Sequence, residues 1–102
     1  MLNCEYTSEI DNQIFSLLGK LDQESYLEFD QVVKKNYVKN LNVILDLKNL
    51  DYISSVGLRS FIILAKLTRG NKKAINVKVK PGSMVEQLIK LSGFTKIMPF
   101  ID

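Results

Sequence analysis

Apolar and polar positions change their spacing several times along this chain, and each change predicts an element. Residues 2–9 and Gln13 to Leu18 read as strands separated by the polar turn Asp11-Asn12, so the chain opens with a hairpin. From about Tyr26 to Asn40 the apolar spacing becomes three and four. Tyr26, Phe29, Val33 and Tyr37, with Val32 beside them, predict one buried helix face. Ser25 and Glu28 have the separation of a capping box at its start. Asn42 to Leu47 holds the continuous run Val43-Ile44-Leu45, which suits a buried strand, and Leu50, Tyr52 and Ile53 follow as a short extended segment.

A second, longer helix starts near Val56 and ends by Gly70, a natural terminator after the basic Arg69. Residues 72–80 alternate Ile75, Val77 and Val79 with Asn76, Lys78 and Lys80, which predicts a strand with one buried face. Pro81-Gly82 breaks it. Ser83 and Glu86 form a second capping box, before a third helix whose apolar side carries Met84, Leu88 and Leu91 with Val85 and Ile89. Gly93 ends that helix. Residues 97–101 read as a final strand at an edge, because Pro99 has no N–H for a ladder.

The order β-β-α-β-α-β-α-β predicts an α/β domain with a mixed sheet of four or five strands and about three helices. Ile44, Leu45, Phe61, Ile62 and Leu88 are the apolar centres of their elements and are expected in one core. At 102 residues the chain reads as one domain, 1–102. No apolar run approaches the ~20 residues of a membrane span, and no basic segment followed by an apolar one marks a signal peptide. The lone Cys4 excludes an internal disulfide and fits a reducing compartment. A cytoplasmic protein without membrane association is therefore expected.

The net charge of +3 raises the question of nucleic acid. The basic residues are scattered, apart from Arg69, Lys72 and Lys73 and the alternating Lys78 and Lys80, and no aromatic residues interleave with them. They read as solvated edges, with no direct nucleic-acid role. The absence of histidine excludes Ser-His-Asp and Cys-His catalysis and His-containing metal sites. Gly19-Lys20 lacks the upstream glycine of a phosphate-binding loop. Cys4 reads as a small packed residue. No catalytic residue, metal ligand or cofactor is assigned, and the chain is not expected to be an enzyme.

The chemistry that remains lies at the corner before the second helix. Ser54 and Ser55 place two hydroxyls where an N-cap is needed. Gly57 leaves the first turn bare, open to close approach by another molecule. At ~100° per residue, Leu58, Phe61, Ile62 and Ala65 make the sheet-facing side. Val56, Ile63 and Leu67, flanked by Ser60, make a second stripe almost opposite. Either neighbouring helices cover that stripe or it is a binding surface.

Asp46-Leu47, followed by Tyr52-Ile53-Ser54-Ser55-Val56-Gly57-Leu58, resembles the signature of the anti-sigma factor antagonists, small bacterial members of the STAS domain family. The family's phosphorylated serine falls on Ser55. Ser54 stands where the family usually has Asp, Val56 where it has Ser or Thr, and Arg59 where it often has a small residue. Gly19, Leu21, Asp22 and Ser25 occupy the places that precede the family's first helix.

The resemblance implies a STAS-like fold and a regulatory module that binds an anti-sigma factor, often itself a serine kinase. That kinase would phosphorylate Ser55 with ATP and a serine phosphatase would reset it. Ser54 would flank the phosphoacceptor and Gly57 would give access. Asp22 and Ser25 would line the same surface, and Arg59 would meet an acidic partner or the phosphate, unless it is an exposed residue of no consequence. The alternatives are a STAS scaffold or signalling domain not acting on a sigma factor, with Ser55 only a helix cap, and a nucleotide- or lipid-binding domain.

Overall fold

The β-hairpin at the start of the chain organises the sheet. In a computed structural model, which describes residues 1–101, β1 (Leu2–Ser8) runs antiparallel to β2 (Asn12–Leu21). Then α1 (Tyr26–Asn36) leads to β3 (Asn42–Ile53), and α2 (Ser55–Gly70) to β4 (Ile75–Lys78). The sheet order is β1-β2-β3-β4, with β2/β3 and β3/β4 parallel. Each parallel step carries a crossover helix and both steps go the same way, so right-handed connection puts α1 and α2 on one face. α3 (Met84–Ser92) follows, then a single 3-10 turn, Phe94–Lys96.

One face of the sheet is therefore the core. Register aligns Tyr6 with Phe15, Phe15 with Leu45, and Leu45 with Val77. Phe15, Leu45, Phe61 and Val77 are fully buried, as is Phe29 of α1. Tyr6, Phe15, Phe29 and Phe61 touch in series, with ring centroids 5.0, 6.1 and 5.2 Å apart. The last two contacts are edge-to-face, worth about 0.5–1.5 kcal/mol each beyond area burial, and they join β2, α1 and α2. The opposite face carries Asn3, Glu5, Ser16, Asp46 and Lys78.

Several elements differ from the sequence reading. β2 runs on to Leu21, and β3 is one strand through Ile53. Register shifts between Ser16 and Leu18, and between Gly19 and Lys20, absorb the break in alternation that reads as a strand end. α1 stops at Asn36, four residues early, and Tyr37 turns extended at φ −58°, ψ 133°. The cause is Gln13, fully buried on β2. Its Nε2 donates to the carbonyls of Val38 (2.7 Å) and Leu41 (3.3 Å), and its Oε1 accepts the Val38 N–H (2.9 Å) and the Tyr6 hydroxyl (3.2 Å). A buried amide pairs the loop backbone in place of further helix.

The predicted last strand is also absent as such. It reduces to one parallel bridge, Val77 to Phe100, in which the Pro99 carbonyl accepts the Val77 N–H and Ile101 N–H donates to Val77 O, both at 2.9 Å. The sheet is thus four-stranded. Of the expected core, Leu45 and Phe61 are fully buried, Ile62 is half-buried, and Ile44 is half-buried on the open sheet face. Leu88 is 36% exposed; α3 turns Val85 and Ile89 inward instead.

Candidate functional site

The site forms at the carboxyl ends of the parallel strands β2 and β3, where open α/β sheets gather their functional loops. β3 delivers the buried Ile53, and the Ser54 N–H then donates to the Leu21 carbonyl at the end of β2 (2.9 Å). This bond ties the two strand ends together. Ser54 is extended, at φ −92° and ψ 172°, and its Oγ accepts the Gly57 N–H at 3.1 Å. Ser54 is therefore the N-cap of α2.

Ser55 is the first helical residue, not the cap. It is exposed, and among the described residues its hydroxyl takes part in no hydrogen bond. The first turn of α2 carries no acidic side chain, so no carboxylate offsets the positive end of the helix dipole beside Ser55. Arg59 lies one turn on, exposed, and in no ion pair among the described residues. At this i, i+4 spacing its guanidinium and Ser55 occupy neighbouring positions on the helix surface.

Gly57 has a different role from the open access read from sequence. It is buried, and a Cβ there would meet Leu21 O at 2.7 Å and Leu21 Cγ at 2.8 Å. The glycine lets the start of α2 close onto the end of β2. Ser25 is likewise only 2% exposed. Its hydroxyl donates to Lys20 O (2.8 Å) and accepts the Asp22 N–H (3.0 Å). With those bonds made, the capping box expected with Glu28 does not form. Ser60 is also buried, in the seam between α1 and α2.

Asp22 stays near the surface. Its Oδ1 accepts the N–H groups of Glu24 (2.9 Å) and Ser25 (3.1 Å). Desolvation pushes its carboxyl up, but these bonds, the Ser25 hydroxyl and the charge of the amino terminus outweigh it, and the group titrates below its ordinary value. Asp22 thus holds the β2–α1 turn beside the Ser54 corner.

Two depressions flank α2. On one side a groove of about 290 Å³ runs between α2 and α3, lined by Ile53, Ser54, Ser55, Leu58, Leu88 and Leu91. Leu91 is 83% exposed. On the other side two adjoining depressions, of about 260 and 180 Å³, run along the α1/α2 seam and share Asp30, Ser60 and Ile63. Val56 lies in the first and Leu67 in the second, so α1 covers the predicted stripe only in part. Sequence reasoning assigned Leu88 and Leu91 no site role. The available signal was the doubled stripe of α3, where Val85 and Ile89 already suffice for one buried side.

Comparisons with known proteins agree with this geometry. The family model of the STAS domain matches residues 5–102. A Bordetella bronchiseptica protein named "Putative anti-sigma factor antagonist BtrV" is 41% identical over 58 residues, which take in 56% of this chain. The match spans about half of that relative's length, 48%. An anti-sigma factor antagonist from Mycobacterium paratuberculosis superposes with a TM-score of 0.78 at 16% identity, over 98% of this chain and 85% of that one. The anti-sigma factor antagonist SpoIIAA, solved in its unphosphorylated form, gives 0.70 at 12% identity, over 98% and 88%. The two structures share the fold, and with the family model matching almost end to end, the chain belongs to the STAS domain family.

Proposed function

We propose that this domain is an anti-sigma factor antagonist. It binds an anti-sigma factor of the serine-kinase type and so regulates transcription, and phosphorylation of Ser55 switches it off. The domain acts in the cytoplasm as a binding module, without catalytic residues of its own. The observation that carries the reading is the division of labour at the corner: Ser54 caps α2, which leaves the exposed Ser55 hydroxyl free for modification. Ser55 is also the position that matches the family's phosphorylated serine.

Phosphorylation transfers the γ-phosphoryl group of ATP to Ser55 Oγ, releasing ADP and the hydroxyl proton. The product carries about −1.5 to −2 charges. The uncompensated N-terminus of α2 and the Arg59 guanidinium stabilise that anion within the fold. A docked partner meets it at the rim of the apolar groove holding Leu58, Leu88 and Leu91. There the phosphate must remain hydrated or find a cation, and either demand opposes close docking. A serine phosphatase restores the hydroxyl.

In this reading Asp22, Ser54, Val56, Arg59, Ile63 and Leu67 contribute to partner surfaces. Ser25, Gly57 and Ser60 act from beneath by fixing the loops and helix seam. Incubation with the anti-sigma kinase and ATP, followed by peptide mass spectrometry, tests the site. One phosphate on Ser55, and none on Ser55→Ala, is the expected result. Phosphate on Ser54, or on neither serine, rejects it.

A further inference from the structure

The seam between α1 and α2 is a surface separate from the Ser55 groove. Leu58 and Leu67 lie nine positions apart, which at ~100° per residue places them on opposite sides of α2. The first seam depression is lined by early residues of both helices, Tyr26 and Val56, and the second by later ones, Val33 and Leu67. The helices thus run the same way and the groove follows them. Its apolar rim is exposed: Ile63 by 58% and Leu67 by 46%. Val56, Ser60, Ile63 and Leu67 follow the three- and four-residue spacing into which the ridges of another helix fit.

The charges set what that helix must carry. Arg59 stands at one end of the groove and Lys34 near the other, and neither is in an ion pair among the described residues. The single acid on the walls, Asp30, lies between them. From Arg59 to the level of Leu67 is eight residues, or about 12 Å at 1.5 Å per residue.

We infer that this groove docks an amphipathic α-helix of a partner protein, with an apolar stripe facing Ile63 and Leu67 and an acidic residue toward each end, two turns apart. One acid meets Arg59 and the other Lys34, while Asp30 excludes an acid from the middle. This surface is separate from the α2/α3 groove, although it shares Arg59 with the Ser55 switch. A second protein can therefore bind this domain while the α2/α3 groove is occupied.

The test uses methyl-labelled full chain and a synthetic capped helical peptide with leucines at i, i+4, i+7 and i+11 and glutamates two turns apart on its flank. Titration followed by NMR should shift the methyls of Val33, Val56, Ile63 and Leu67 saturably. Ile63→Ser should weaken binding at least tenfold with an unchanged melting temperature, since that side chain is mostly exposed. A peptide with lysines replacing the two glutamates should bind at least tenfold more weakly. Shifts centred on Leu58, Leu88 and Leu91, equal binding of both peptides, or no saturable shift overturn the inference. So does concentration-dependent broadening of the Ile63 methyl in protein alone, which would assign the groove to a second copy. None of these results bears on Ser55 phosphorylation, so the two proposals fail separately.

Discussion

Ser54 Oγ accepts the Gly57 N–H while the Ser55 hydroxyl makes no hydrogen bond among the described residues, so removing one hydroxyl or the other should have different consequences. Ser54→Ala loses the cap and should lower stability by about 0.5–2 kcal/mol in chemical denaturation, yet leave Ser55 open to phosphorylation. Ser55→Ala should leave the denaturation midpoint in place. Gly57→Ala is expected to be worse than either, because its Cβ would press on the Leu21 carbonyl at 2.7 Å, which is backbone and cannot swing aside. Overpacking of this kind costs about 1–3 kcal/mol, visible as a lower denaturation midpoint. Sequence presented Ser54 and Ser55 as equivalent cap candidates. Which of them caps depends on the residue at which β3 turns, and the Ser54–Leu21 backbone bond that sets this joins parts of the chain 33 positions apart. The packing need for Gly57 was invisible for the same reason.

At the scale of elements, spacing located the helices well and their ends and faces less well. The α1 pattern continues through Tyr37, but Gln13 captures the backbone of Val38 and Leu41 and ends the helix at Asn36. Gln13→Leu keeps the bulk of the side chain but removes the partner of those part-buried backbone groups. An orphaned buried group costs about 1–3 kcal/mol, and with water able to reach part of this loop a total destabilisation of about that size by urea denaturation is expected. α3 shows the other shortfall. Its apolar residues cover two sides, and only the placement of α3 against β3 selects Val85 and Ile89 over Leu88 for burial. The exposed Leu88 and Leu91 become one wall of the groove beside Ser55.

Across the whole molecule, the order of strands and helices was legible because each period is local. The missing fifth strand was not: residues 97–101 have strand-like composition, yet the 3-10 turn at Phe94–Lys96 leaves room for a single bridge to Val77. Cys4, on β1, reports on the integrity of the fold. Burial, and secondarily the charge of Glu5, raise its thiol from 9.0 to about 12. A thiol whose folded value is raised contributes stability that is intact below its unfolded value and is lost as pH climbs from about 9 toward about 12. At pH 8 a disulfide reagent should label Cys4 far more slowly than it labels the urea-unfolded chain; equal rates would show that the thiol is not packed as described.

The arrangement of α1, α2 and α3 on one face of the sheet brings the exposed Ser55 hydroxyl, the N-terminus of α2 with no acidic side chain in its first turn, and the α2/α3 groove to one edge of the molecule. The central claim is that charge at this point controls docking. Titration calorimetry of the proposed anti-sigma factor partner against the unmodified chain and the chain stoichiometrically phosphorylated on Ser55 tests it most directly. The account predicts at least tenfold weaker binding after phosphorylation, or ~1.4 kcal/mol, with Ser55→Ala binding as the unmodified chain does. Equal affinity of the modified and unmodified chains would contradict it.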